Sequence, residues 1–249
     1  MTQGKKHKKL RKWLLIILLI LSVGAIGSAA YLSDYYPAAT PAMAVLEEPS
    51  ASVSIQNLED RIVFAPEHPQ AGLIFYPGGK VQCEAYVPLL EACAENGMLC
   101  ILLRMPGNLA VLDMDAAQGL KDAYPEITRW YLGGHSLGGA VAAEYLADHS
   151  QEYTGLILLA AYSAKDLSNT DLQVLSIYGS EDGVLNREKY EACRANLPSD
   201  AQERIIEGGC HSYFGDYGAQ AGDGTPTITR EEQQEQTVAA ITALTTSSD

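Results

Sequence analysis

The sequence predicts an α/β fold built on a mainly parallel sheet with helices on both faces, and three observations predict it. Beyond residue 51, short continuous apolar runs such as Gly72–Tyr76, Met98–Met105 and Trp130–Gly133 alternate with amphipathic stretches, as strands buried on both faces alternate with the helices that cover them. Glycine or proline punctuates the ends of those runs, at Pro77-Gly78-Gly79, Asn96-Gly97 and Tyr124-Pro125. The length of 249 residues, with 47% hydrophobic and 19% charged residues, suits one large globular domain plus a short appendage.

The elements follow in order. Ser52–Ile55 and Arg61–Ala65 read as a leading strand pair, and Gly72–Tyr76 as a buried strand running into the Gly78 turn. Glu84–Glu95 reads as a helix closed by Asn96-Gly97, and Met98–Met105 as the next strand. Leu109, Leu112, Ala116 and Leu120 recur at helical spacing, which predicts a helix over 109–123. Strand 130–133 and helix 137–148 come next, then strands 155–160 and 172–178, helix 186–196 and strand 203–206. Thr229-Arg230-Glu231-Glu232 has capping-box spacing and opens a last helix whose apolar face is Val238, Ile241 and Leu244.

Residues 1–50 differ in composition. Six of the 17 basic residues lie in positions 5–12, and removing them leaves 11 basic against 31 acidic residues, a balance of -20 for the remainder. A body this acidic argues against nucleic acid as a partner. After the basic run, residues 13–32 carry no charge and are long enough as a helix to cross a hydrocarbon layer of about 30 Å. The positive-inside bias then makes 1–12 a basic cytoplasmic tail and puts the main domain outside the cell membrane, with 13–32 as its anchor. A cleaved signal segment ending near Ser28-Ala29-Ala30 is the alternative and would make the protein secreted. Residues 33–50, with Pro37, Pro41 and Pro49, read as an extended extracytoplasmic linker, and 51–249 as the folded domain. The five cysteines show neither CxxC pairing nor zinc-ligand spacing, so no metal or other cofactor is expected, and they read mainly as small buried apolar residues.

Gly134-His135-Ser136-Leu137-Gly138 lies between a predicted strand and a predicted helix. A serine there occupies a tight strand-to-helix turn, and flanking glycines leave room for it, which points to Ser136 as a nucleophile. Of the five histidines, His7 lies in the basic tail, His68 precedes the Gly72 strand, and His149 ends the helix that starts at Ser136, about 20 Å away. His135 adjoins Ser136, but neighbouring side chains diverge, so it reads as a packed or surface residue. His211, just past a strand in Gly208-Gly209-Cys210-His211, is the candidate base. The acid comes from Tyr178-Gly179-Ser180-Glu181-Asp182-Gly183, where Asp182 is preferred to Glu181 because a short carboxylate before glycine suits a tight turn; Asp216 and Asp223 are reserve candidates. Oxyanion donors are expected from the N–H groups of Leu137 and Gly79, Gly79 being chosen over Lys80. Tyr76, Tyr162, Tyr213 and Phe214 are aromatic candidates for the pocket wall.

These residues resemble bacterial α/β-hydrolase fold-5 proteins, which are small, lack a cap domain and often carry an N-terminal membrane segment. The likeness rests on Phe75-Tyr-Pro-Gly-Gly-Lys-Val81, Gly133-Gly-His-Ser-Leu-Gly-Gly139, the Gly179–Gly183 turn and His211-Ser-Tyr-Phe-Gly-Asp-Tyr-Gly218, within about residues 31–245. It implies Ser136 as nucleophile, His211 as base and Asp182 as acid, in the chain order found independently above. The implied activity is that of a carboxylesterase-like serine hydrolase acting on a small acyl substrate through an acyl-enzyme. An acyltransferase, thioesterase or peptidase would use the same three residues, and a non-catalytic scaffold would keep the fold without the chemistry. With so short a connection between Ala160 and Leu172 no lid is expected, which favours an exposed acyl group over a long buried chain.

Overall fold

The computed structural model describes residues 3–246, with side chains from Trp13 onward except at positions 25 and 29. The basic side chains of positions 5–12 therefore lie outside the described residues. The chain divides into two units, Met1–Tyr35 and Tyr36–Asp249.

The first unit is helix α1, Gln3–Ser33. Its stretch Trp13–Ser33 is long and apolar enough to cross a membrane or to serve as a signal sequence, and none of its described side chains is buried in the protein. Leu15, Leu19 and Ile26 are each more than 60% exposed, so no protein core accounts for this apolar surface.

The second unit begins with a correction to the expected linker. Residues 40–47 form α2 (Thr40–Glu47), opened by Pro41 in its first turn, and Ala42 is wholly buried. The residues before it are tied down as well. Tyr36 pairs with Val81, its N–H donates to Lys80 O at 2.7 Å, and Ala39 N–H donates to Asp216 O at 2.7 Å. Proline and alanine suggest stiffness, but backbone groups that find partners on a folded surface dock instead of extending.

The sheet has eight strands: β1 (Val53–Asn57), β2 (Arg61–Pro66), β3 (Ala71–Tyr76), β4 (Met98–Leu103), β5 (Trp130–His135), β6 (Gly155–Leu159), β7 (Gln173–Gly179) and β8 (Gln202–Ile206). Their spatial order is β1-β2-β4-β3-β5-β6-β7-β8. β1, β2 and β4 pair antiparallel, and from β4 across to β8 every pairing is parallel. Strands β3 to β6 are buried at every position, as their unbroken apolar runs require.

The pleat sorts their side chains into two cores. Leu73, Phe75, Tyr131 and Ile157 join one cluster with Leu89 of α3 (Val87–Glu95) and Ile241 of α6 (Arg230–Thr246). Ile74, Tyr76, Leu132 and Leu158 face the other way, against Val141 and Leu146 of α4 (Leu137–His149). A short helix α5, Arg187–Cys193, packs Tyr190 against Tyr178. Each buried Leu, Ile or Phe contributes about 1.5–3 kcal/mol, so these two layers dominate the stability of the domain.

α6 starts as expected, with Glu232 N–H donating to Thr229 Oγ1 at 3.1 Å and Thr229 N–H to Glu232 Oε2 at 2.7 Å. Two helix expectations need revision. The first turn of the 84–95 stretch is a 3-10 turn, Cys83–Tyr86, ahead of α3. Residues 109–123 form only 3-10 turns at Ala110–Leu112 and Leu120–Ala123. The buried Tyr76 hydroxyl donates to Met114 O and accepts from Ala117 N–H, and Gly119 is left-handed with φ 72°, so the α-helical ladder is interrupted in the middle.

The sheet's order reverses about β3, since the chain places β4 on one side of it and β5 on the other. In such open sheets ligand sites form at the carboxyl ends of the strands near the reversal.

Candidate active site

At the carboxyl end of β5, Ser136 has φ 52° and ψ -120°, a conformation that L-residues adopt only under strain. The turn persists because its surroundings hold it. Ser136 N–H continues the sheet ladder to Leu159 O at 2.9 Å, and Ser136 O accepts from Ala140 N–H at 3.1 Å. The glycines are a steric requirement. A Cβ on Gly134 would lie 2.5 Å from the Gly138 carbonyl carbon, and one on Gly138 would lie 2.3 Å from the oxygens of Tyr76 and Pro77. The start of α4 is thereby pressed against both β5 and the turn after β3.

Ser136 and His211 line one pocket of about 290 Å³ together with Leu137, Ala140, Ala160, Ala161, Tyr162, Val184, Leu185 and Asn186. Two larger grooves lie beside the start of β8 and between α3 and α6, but neither includes Ser136, His211 or Asp182. His211, 1% exposed, has Nδ1 2.8 Å from Asp182 Oδ2. A carboxylate only accepts, so Nδ1 carries the hydrogen and Nε2 is the basic nitrogen. That Nε2 is buried without a hydrogen-bond partner among the described residues. Asp182 is itself oriented, its Oδ1 accepting from Val184 N–H at 2.9 Å and Leu185 N–H at 2.8 Å. Glu181 is exposed and accepts from Ser180 Oγ at 3.1 Å.

The two reserve acids have other partners. Asp216 pairs with Arg230 at 2.6 Å. Asp223 Oδ1 accepts from His211 N–H at 3.0 Å, Gly183 N–H at 3.3 Å and its neighbour Gly224 N–H at 2.9 Å, while Oδ2 accepts from Ser212 N–H at 2.8 Å. Burial pushes its carboxyl upward, but the amides of Ser212 and His211 outweigh that and hold it below the ordinary aspartate value. Asp223 thus ties the Asp182 loop to the His211 loop. Its spacing from His211 signalled proximity, while its bond to Gly183 depends on the tertiary fold.

In the turn after β3, Gly79 lies against Leu137, since a Cβ on Gly79 would come within 2.8 Å of Leu137 Cδ2. Leu137 N–H, at the first position of α4, has no carbonyl of its own helix to bond. Lys80 N–H is committed to Asn108 O at 2.7 Å.

His135 is buried, its ring centroid 4.5 Å from that of His211, with Tyr86 Oη 2.8 Å from Nδ1. Burial lowers its pKa well below the ordinary histidine value, and the charge of His211 lowers it further. Of the aromatic candidates only Tyr162 lines the pocket; Phe214 packs on His135, Tyr213 lies under Arg230, and Tyr76 belongs to the core behind α4. Four of the five free cysteines are buried, and Cys193 is half-buried.

The alpha/beta hydrolase family model matches residues 72–235, well over half of the chain. The chain belongs to the alpha/beta hydrolase family. No curated protein is significantly similar to this hydrolase over its sequence. Among solved structures, TT1662 from Thermus thermophilus is 17% identical, with 78% of this chain and 98% of that one aligned and a TM-score of 0.56. A predicted CIB-like hydrolase from Thermoplasma acidophilum is 15% identical over 76% of this chain and 99% of that one, with a TM-score of 0.52. A membrane phospholipase A described as a bacterial virulence factor is 14% identical over 95% of this chain and 99% of that one, with a TM-score of 0.59. At such identities the shared property is the fold.

Proposed function

We propose that this hydrolase is a serine esterase acting on short acyl groups, with Ser136 as nucleophile, His211 as base and Asp182 as its orienting acid. The observation that carries the reading is the strained Ser136 at φ 52°, opening into the same pocket as a His211 whose Nδ1 is held by Asp182. In the first step Ser136 Oγ attacks the ester carbonyl while His211 Nε2 takes its proton. The oxyanion accepts from Gly79 and Leu137 N–H, and Asp182 stabilises the imidazolium. The imidazolium returns the proton to the leaving alcohol; water, activated by the same histidine, then frees the acid and regenerates Ser136. The pocket volume of about 290 Å³ supports a short acyl chain.

The first unit supports a membrane-bound location, with α1 as a single span, positions 1–12 cytoplasmic and the esterase domain extracytoplasmic; cleavage behind Ala30 would release the domain. A fluorophosphonate probe is expected to label the parent, and Ser136→Ala is expected to abolish labelling and lower p-nitrophenyl butyrate turnover by at least about 10⁴-fold while remaining folded. Unchanged turnover in that variant would overturn the nucleophile assignment. Faster hydrolysis of long-chain phospholipid vesicles than of the butyrate ester would overturn the substrate class.

A further inference from the structure

We infer that Tyr86 and His135 are a buried positioning pair that holds the Gly78–Gly79 backbone at the height from which it presents the oxyanion donor. The inference rests on the esterase reading above and deepens it. Gly78 N–H donates to Tyr86 Oη at 3.0 Å, and Tyr86 Oη lies 2.8 Å from His135 Nδ1. The phenol has a single proton. Its oxygen accepts from Gly78, and a protonated Nδ1 would leave the buried phenol proton without an acceptor among the described residues, so that proton is assigned to His135 Nδ1 as the unprotonated nitrogen of a neutral ring.

The surroundings enforce this state. Tyr86 is completely buried and His135 is 1% exposed, so a charge on the ring would be desolvated. His211 packs against one side of it and becomes cationic during turnover, which adds repulsion against a second cation. His135 Nδ1 therefore remains an acceptor throughout the cycle. The loop sits directly on the pair, because a Cβ on Gly78 would lie 2.6 Å from Tyr86 Oη and 2.8 Å from His135 Nδ1. The next residue, Gly79, is the one that meets Leu137. Ala85 O also accepts from Asp216 N–H at 2.7 Å, so the turn carrying Tyr86 is braced against the loop that follows His211.

A bond that serves stability alone would not change transition-state binding selectively; a bond that sets donor height would, because a misplacement of about 1 Å at a reacting centre costs roughly 10²-fold. The test compares the purified full-length parent with Tyr86→Phe, His135→Leu and His135→Asn, the last keeping an acceptor oxygen near the Nδ1 position. Tyr86→Phe and His135→Leu are expected to lower kcat for p-nitrophenyl butyrate by about 10- to 100-fold with KM within about twofold, and to weaken an alkyl boronic acid by a similar factor. Butyrate binding should not change. His135→Asn should recover kcat to within about threefold of the parent.

If Tyr86→Phe does not fold, the two His135 variants carry the comparison, and equal kcat in both would overturn the inference. So would a folded Tyr86→Phe with parental kcat, or loss of boronic acid and butyrate binding in equal measure. A parent that neither turns over the ester nor takes the fluorophosphonate sinks the esterase reading and this inference with it. An active, labelled parent with an unaffected Tyr86→Phe sinks this inference alone.

Discussion

The two halves of the site are held by different forces. Around Ser136 the backbone of α4 is packed onto β5 and the β3 turn so closely that Gly134 and Gly138 admit no further atom. Around His211 and Asp182 the loops are longer and joined by a carboxylate, with Asp223 receiving amides from both sides. Close packing has no charge dependence and fails when an atom is added. A carboxylate clamp tolerates neighbours but depends on charge and on the number of acceptors it offers. The Ser136 half should therefore be broken by volume, and the His211–Asp182 half by proton or by isostere.

The largest expected effect is on the packed half. Gly138→Ala should destabilise the protein by at least about 3 kcal/mol, because the intruding Cβ meets main-chain oxygens that have no rotamer to change. Urea denaturation measures this, and a midpoint within error of the parent would show that the turn can yield.

Asp223→Asn conserves volume and should be milder, costing about 1.5–3 kcal/mol, since the amide offers one acceptor oxygen where the carboxylate offers two. Its kcat is expected to fall by about 10-fold through loosened placement of His211, with fluorophosphonate labelling slowed in proportion. Parental kcat with lowered stability would show that the clamp serves folding alone.

Acid should act on the same half. The pKa of Asp223 is depressed in the folded state, so its stabilising contribution is complete above the unfolded value of about 3.9 and disappears as pH falls through the folded value. Glu84 behaves alike: burial raises its carboxyl, but the hydrogen bond and charge of Arg104, with the bonds from its own backbone and Cys83, together outweigh this and leave it below the ordinary glutamate value. Urea midpoints measured from about pH 6 down to pH 2 should fall for the parent and fall less steeply for Asp223→Asn. Identical slopes would remove Asp223 from the account.

The smallest effect is expected far from both halves. Thr229→Ala removes the cap of α6 and should cost about 1 kcal/mol with kcat unchanged, a control for stability loss without site damage.

The features legible in the sequence are those whose causes are local. Unbroken apolar runs announce strands buried on both faces, and the Thr229–Glu232 spacing announces the start of α6. The Gly134–Gly138 motif marks the turn at Ser136 because the glycines and the serine occupy one tight bend. What composition misread depended on distant partners. The apolar spacing of 109–123 is helical, yet Tyr76, from another strand, takes up Met114 O and Ala117 N–H. The prolines of 33–50 suggested extension, yet Lys80 and Asp216 supply partners for that backbone. The Tyr86–His135 contact and the bond from Gly183 to Asp223 cross long stretches of chain, and no local pattern encodes them.

The docked segment around Tyr36 bears on how the domain can be produced or released. Its backbone laces the turn after β3 to the loop following His211, so it belongs to the enzyme's frame. A leader peptidase cutting behind Ala30 would liberate a domain with every one of these ties intact. A recombinant product trimmed to begin at residue 51 would lose them all, leaving the bond from Asp216 N–H to Ala85 O to hold the two loops together.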